Sequence, residues 1–527
     1  MESKNKPSIF TKFLVFWKVF FLFCYKLILS MKTGRGILAL FLSYLIFHGW
    51  AVVFIVFGTI TDNLVLVTIG TTVVLFWLGP FTPLIPLIFV TAFIIQRYLL
   101  FDKSRPFKIK QVWQMIKEEE KSMHKQKKSR LEKNREMYDF DQIVDRLNTN
   151  SVKYDYKEVY KIPEDVIPMW VADTDFKVES KIIEALTERI QHGIFGYSAL
   201  DSDYNKIMAE WFLKRHDWRI ENEWLISTPS VIFALSNAVR ALTKENDAIL
   251  ICSPVYPPFH SVVRQNKRKL VISDLVNIDD RYEIDFADFE AKIKTFNVKM
   301  FILCSPHNPI GRVWTYEELK RIDEICTRNQ VFVVSDEIHA DITFEHKHTV
   351  YAEISEYAKA NCIICTAPSK TFNIAGLQIS NIYIPNKRKR QLFKLESERT
   401  GIHGANLAGI IGNKAAYQHG EKWLDESIEY YKSNIMWVRK FLKEELPEVR
   451  MNKSEGTFLI WLDFRSLGLP HQELVHFLIH EAKLWLSDGL DFGAQGNGFM
   501  RMNIGCCMTT VKRAFTQLKT AIDKLKK

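Results

Sequence analysis

Two kinds of hydrophobic pattern divide this chain. Over residues 37–101 apolar side chains run almost without interruption, with Asp62 and Arg97 as the only acidic or basic positions. From Tyr138 onward, short apolar runs alternate with stretches of helical period. The runs Asp247 to Cys252, Lys299 to Cys304, Val331 to Ser335 and Asn361 to Thr366 predict strands, and stretches such as 315–327 predict amphipathic helices between them. Such alternation predicts a mainly parallel sheet covered by helices, an α/β fold.

The N-terminal region reads as membrane sequence. Residues 8–30 are rich in Phe, Leu and Val, yet Lys12, Lys18 and Lys26 recur near whole helical turns, which predicts a helix lying in an interface. Gly36 to Ile60 is long enough to cross about 30 Å of hydrocarbon. Thr61-Asp62-Asn63 then makes a polar turn into a second apolar run. Gly79-Pro80-Phe81-Thr82-Pro83 and Pro86 predict a break before Leu84 to Leu100 resumes the pattern. Residues 1–101 are therefore expected to hold an interfacial helix and two to four spans, with the lipid bilayer as partner. Basic residues on both flanks place both ends in the cytoplasm and make the number of crossings even. No small-residue cleavage site follows a short apolar core, so the region is expected to stay attached. The expected location is a cell membrane, multi-pass, with the catalytic domain facing the cytoplasm.

Charge follows the same division. Residues 1–136 hold 20 Lys+Arg and 8 Asp+Glu, so the remainder of a +10 chain is nearly neutral. A nucleic-acid-binding face would need basic residues interleaved with aromatics on the folded part, which that balance excludes. Residues 102–136, with 12 Lys+Arg and 6 Asp+Glu, predict a charged helical linker, either held near anionic headgroups or a solvated spacer. The eight cysteines lack the spacing of a zinc site and predict reduced thiols in a cytosolic compartment, with no metal. Cys362 and Cys365 have redox-pair spacing, but in a strand they point to opposite faces.

Ligands of an open α/β sheet bind beyond the carboxyl ends of its strands, which directs attention to four segments. Val331 to Ser335 leads into Asp336-Glu337-Ile338-His339. Asn361 to Thr366 leads into Ala367-Pro368-Ser369-Lys370-Thr371-Phe372-Asn373-Ile374-Ala375-Gly376-Leu377, a lysine in an apolar setting. Desolvation lowers the pKa of such an amine toward the neutral form that an imine-forming nucleophile requires. Cys304-Ser305-Pro306-His307-Asn308-Pro309-Ile310-Gly311 and Ser253-Pro254-Val255-Tyr256-Pro257-Pro258 follow two further strands.

In this order the four segments resemble fold-type I pyridoxal-phosphate enzymes of the aminotransferase class I/II superfamily, most closely the MalY/PatB cystathionine beta-lyase branch. The resemblance spans about 137–527. It includes Met137-Tyr138-Asp139-Phe140-Asp141, Pro168-Met169-Trp170-Val171-Ala172-Asp173, Gly193-Ile194-Phe195-Gly196-Tyr197, Glu455-Gly456-Thr457-Phe458 and Gly498-Phe499-Met500-Arg501-Met502-Asn503. It implies a large domain over about 185–425 and a smaller α/β domain from about 137–184 plus 426–527, in a homodimer.

The resemblance also implies roles. Lys370 would bind the aldehyde of pyridoxal 5'-phosphate and later move protons, and Asp336 would pair with the ring nitrogen. Asn308 would bond the ring 3-oxygen, and Tyr256 would stack on the ring. The phosphate would lie on the amides of Ser230, Val231 and Ile232 at a helix start, on Ser369, and on Tyr197 of a partner subunit. Arg501 would clamp the substrate carboxylate, with Trp170 and Ala172 beside it. Ser230 and Phe233 stand where the branch usually has Gly and Pro. The expected activity is carbon–sulfur β-elimination from cystathionine or another cysteine S-conjugate, giving thiol, pyruvate and ammonia. The alternatives are amino transfer, or a membrane-tethered regulatory or sensing module.

Overall fold

Strands made of apolar residues on both faces must be covered on both faces, and the four such runs lie side by side at the centre of one large sheet. The computed structural model describes residues 34–61, 63–69, 91–92, 94–100, 138–402 and 404–527. The chain divides into two units, Met1–Met137 and Tyr138–Lys527.

In the second unit a short strand β1 (Ile167–Pro168) precedes eight strands of the large sheet. These are β2 (Leu225–Thr228), β3 (Ala248–Ser253), β4 (Lys269–Ile278), β5 (Arg281–Ile284), β6 (Met300–Cys304), β7 (Phe332–Asp336), β8 (Cys362–Thr366) and β9 (Ser380–Tyr383). Their spatial order is β2-β9-β8-β7-β6-β3-β4-β5. The pairs β8/β7, β7/β6, β6/β3 and β3/β4 are parallel, and antiparallel strands close both edges.

Alternation along these strands feeds two cores. Leu250, Phe301, Val333, Cys362 and Ile364 face one. Ile251, Ile302, Val334, Ile363 and Cys365 face the other. Cys362 and Cys365 thus lie buried on opposite faces. Each such Ile or Leu contributes about 1.5–3 kcal/mol by leaving water, which is why the centre of the sheet tolerates little polarity. The helix Tyr316–Arg328 between β6 and β7 starts with a capping box from Thr315 and Glu318.

A four-stranded antiparallel sheet in the order β10-β11-β14-β13 stands apart from the large one. Its strands are β10 (Arg450–Met451), β11 (Leu459–Asp463), β13 (Ser487–Asp488) and β14 (Phe499–Asn503). Ile460 and Leu462 pack with Leu478, Met502, Phe515 and Leu518 in a third core. β12 (Leu484–Trp485) pairs in parallel with β1, and just beyond β1 the carbonyls of Val171 and Asp173 accept from the Asn503 side chain of β14.

The first unit contains a 27-residue helix, Gly34–Ile60. Asn63 Oδ1 accepts from the amides of Val65 and Leu66 at 3.1 and 3.3 Å, which starts the next helical stretch. A side chain at Gly58 would come within 2.8 Å of the Val67 amide, so only glycine permits that approach. Ile95–Leu99 forms a π-helical turn, and Ile95 clusters with Ala39 and Ala92.

The membrane expectation is corrected here. Among the described residues no helix is long and apolar enough to cross a membrane. The two to four spans, and with them the lipid bilayer as partner, therefore lack support. The interfacial helix over 8–30, the break at Gly79 to Pro86 and the linker over 102–136 lie outside the described residues.

Candidate active site

Parallel pairing in register brings the carboxyl ends of β6, β7 and β8 into line, with Cys304 opposite Asp336 and Asp336 opposite Cys365. The residues that follow these strands therefore open onto one cleft. It is a cavity of about 330 Å3, and its wall includes Ala172, Ser230, Val231, Ile232, Tyr256, Asn308, Asp336, Ser369 and Lys370. Nine of the twelve sequence-predicted residues thus share one space.

Lys370 sits on a short helix, Pro368–Thr371, directly after β8. Its Nζ donates to the carbonyl of Ala172 at 2.7 Å. Burial pushes its pKa down to about 8, and Arg501 adds to the fall while Asp173 and Asp336 oppose it. Asp336 ends β7 and is buried. Burial raises its carboxyl to about 7; the Ile338 amide, which donates to Oδ1 at 3.2 Å, opposes the rise, Glu337 adds to it, and Lys370 opposes it.

Asn308 and Tyr256 are tied through the main chain, the Tyr256 amide donating to the Asn308 carbonyl at 3.0 Å. Arg501 on β14 is buried and donates to Asn308 Oδ1 at 3.2 Å, the Trp170 carbonyl at 2.6 Å and Ser487 Oγ at 2.9 Å. Its Nε has no partner among the described residues. The indole of Trp170 stacks on Trp485 with centroids 4.3 Å apart, so Trp170 meets Arg501 through its backbone.

The helix Val231–Leu242 begins at the cavity wall. Ser230 Oγ accepts from the Phe233 amide at 3.1 Å. Helix geometry leaves the amides of Val231 and Ile232 without intrahelical acceptors, and both residues line the cavity. The departure from Gly and Pro at 230 and 233 is therefore self-consistent: a proline there has no N–H to satisfy, whereas Phe233 has one, and Ser230 caps it. Tyr197 is fully exposed in a segment without helix or strand and lies outside the cavity wall.

The cavity wall also includes Ile338, His339, Gln378 and Ser380, for which no role was expected. Burial, with Lys370 and Arg501 adding to it, pushes His339 down to about 3, so its imidazole is neutral. The adjacent strand-end acid was a signal for His339; Gln378 and Ser380 lie beyond the lysine segment, and nothing marked them. Among the described residues no group of three or more His, Cys, Asp or Glu could hold a metal ion.

A lysine of lowered pKa, a buried carboxylate and a helix start line one cavity, and comparisons with known proteins show what the chain is similar to. The family profile of aminotransferase class I and II matches residues 164–518. Cystathionine beta-lyase PatB of Bacillus subtilis is 42% identical over 386 residues, covering 73% of this chain and 100% of that protein. This chain belongs to the MalY/PatB branch of that family.

Protein MalY of Escherichia coli is 32% identical, covering 73% of this MalY/PatB chain and 99% of MalY. Among solved structures, cystalysin of Treponema denticola, which contains pyridoxal 5'-phosphate, superposes with a TM-score of 0.72 at 36% identity, covering 74% of this chain and 99% of that one. The pyridoxal-phosphate-bound C-S lyase of Staphylococcus hominis gives 0.69 at 32% identity over 73% and 99%. The residues present fit the cofactor. Lys370 would hold the aldehyde carbon, Asp336 the ring nitrogen, and the Ser230-capped helix start with Ser369 the phosphate.

Proposed function

We propose that this chain is a pyridoxal-phosphate-dependent carbon–sulfur β-lyase that acts on cystathionine or other cysteine S-conjugates. The observation that carries the reading is the half-buried Lys370 in one cavity with Asp336 and Asn308, in a chain whose relatives are named cystathionine beta-lyase.

When bound, pyridoxal phosphate supplies an aldehyde that captures amines and a ring that accepts the electron pair left by α-proton removal. The chain's own residues do the rest. Arg501 exchanges its bonds to Asn308 and Ser487 for the two oxygens of the substrate carboxylate, a geometry its planar guanidinium suits. This holds the α-hydrogen toward Lys370, whose lowered pKa keeps part of it as a free amine able to take the proton. Asp336 carries the charge that keeps the ring nitrogen protonated. The Cβ–S bond breaks, one water is consumed, and thiol, pyruvate and ammonia leave.

The test is incubation of the purified, cofactor-loaded protein with cystathionine and several S-conjugates. Equal release of pyruvate and thiol is expected. Keto-acid-dependent amino transfer without pyruvate release would replace the reading with the aminotransferase alternative, and neither reaction would leave the regulatory one.

We also propose a homodimer in which Tyr197 of each subunit reaches the phosphate of the other. Exposure of Ile194, Phe195 and Tyr197 on an irregular segment supports this reading, since such a run is more stable covered. Mixed dimers of Lys370→Ala and Tyr197→Phe subunits check it, because one of the two sites is then intact. The buried cysteines of the catalytic unit are consistent with a cytoplasmic setting for it, which cell fractionation tests.

A further inference from the structure

Behind the cavity, the turn that carries Lys370 is held by a carboxylate that no step above uses. Pro368–Thr371 is a helix of four residues, closed by the Phe372 amide donating to the Pro368 carbonyl at 2.8 Å. So short a helix has little cooperative stiffness of its own. Ser369 and Lys370 line the cavity, whereas Thr371, next in the same turn, is absent from that wall and buried. Its Oγ1 donates to Oδ2 of Asp341 at 2.8 Å.

Asp341 is itself tightly held. Its Oδ1 lies 2.9 Å from His216 Nε2 and accepts from Trp211 Nε1 at 3.1 Å. Burial alone would raise this carboxyl, but the hydrogen bonds from His216 and Thr371 outweigh it and hold the group below the ordinary aspartate value. Bonds to an ionised acceptor are shorter and roughly twice as strong as neutral ones, so the joint is stiff. Trp211 and His216 both belong to the helix Ser202–His216. Asp341 closes the turn over 338–341, five residues past Asp336.

The same loop is pinned a second time, nearer the strand. Glu337 accepts from Ser335 Oγ at 2.8 Å and the Tyr351 amide at 3.0 Å, and lies 2.8 Å from His348 Nε2. The segment 337–341 is therefore held at both of its ends, and Thr371 is where the lysine turn attaches to it.

We propose that Asp341 and Thr371 form a clasp that fixes the rotation of the Pro368–Thr371 turn, and with it the direction in which Lys370 presents its amine. Both are positioning residues for proton transfer at the substrate α-carbon. The inference rests on Lys370 as the proton carrier described above, whichever of elimination or amino transfer follows.

Thr371→Val keeps the volume of the side chain and removes the donor, and Thr371→Ser keeps the donor. With cofactor-loaded protein, Thr371→Val is expected to exchange the substrate α-proton with solvent deuterium on the order of ten- to a hundredfold more slowly, the scale of a misplaced catalytic group. KM and cofactor content should be little changed, and Thr371→Ser should be close to wild type. In protein freed of cofactor, amide exchange over residues 367–373 should be faster in Thr371→Val alone. Wild-type rates in Thr371→Val, or equal losses in both variants, would overturn the clasp, as would a defect confined to thermal stability. Should the wild type exchange no α-proton, the proposed function fails, and amide exchange in the unloaded protein still decides the clasp.

Discussion

Arg501 donates to the side-chain oxygen of Asn308 at 3.2 Å, joining the residue expected on the substrate carboxylate to the one expected on the cofactor's ring oxygen. The bond crosses from the four-stranded sheet to the carboxyl edge of the large one. A substrate carboxylate that takes Arg501 also releases Asn308 for the ring. Arg501→Lys keeps a cation but loses the fork, and a charge-assisted bond is worth about 1.5–3 kcal/mol. KM for the amino acid is expected to rise about tenfold or more, with a smaller effect on kcat; steady-state kinetics on one S-conjugate checks this.

Burial brings the Lys370 amine from the ordinary 10.5 down to about 8. Below that pH the group is an ammonium ion and unreactive toward an aldehyde; above it the free amine dominates. The rate at which cofactor-free protein captures pyridoxal phosphate should therefore rise with pH through about 8. Asp336 favours the charged lysine, so Asp336→Asn should move that midpoint downward. Stopped-flow absorbance across a pH series measures both.

Ser230 caps the helix whose start faces the cavity. Ser230→Ala leaves the Phe233 amide without its acceptor, at a cost of about 1 kcal/mol, and should both lower the melting temperature and weaken cofactor binding. The double change Ser230→Gly with Phe233→Pro removes the need for the cap together with the cap. It should recover most of the loss, as read by calorimetry and cofactor titration.

Glu455, from the Glu455-Gly456-Thr457-Phe458 segment, accepts from Arg312 Nε at 2.9 Å, the Val313 amide at 3.0 Å and Arg281 Nε at 3.1 Å. Arg312 is fully buried. Glu455→Ala leaves Arg312 paired with Glu318 at 2.8 Å but takes the acceptor from its Nε and from the Val313 amide, a loss of about 1–3 kcal/mol. Denaturant unfolding should show the full loss, whereas Glu283→Ala, which removes a more exposed partner of Arg281, should change little.

The centre of the fold was legible because strands covered on both faces admit few polar residues, and because the chemistry follows their carboxyl ends. Asp336, Asn308 and Lys370 could be read that way. Other parts of the site left no sequence signal. Arg501 meets the Ala172-bearing segment through the Trp170 carbonyl, and any residue supplies a carbonyl. Thr371 and Asp341 are ordinary types whose pairing depends on two loops closing on each other. His339 sat beside a recognised acid, but only burial shows that it is neutral. At the N-terminus, apolar composition suggested bilayer spans, yet among the described residues no helix is long and apolar enough to cross a membrane.

The bond from Lys370 to the Ala172 carbonyl joins positions 198 residues apart, and Arg501 is more distant still. The cavity wall itself runs from Ala172 to Ser380, so no fragment that ends before β9 contains it. During synthesis the vitamin-derived group therefore has nowhere to settle until β9 has emerged, and the arginine expected on the substrate arrives only with β14.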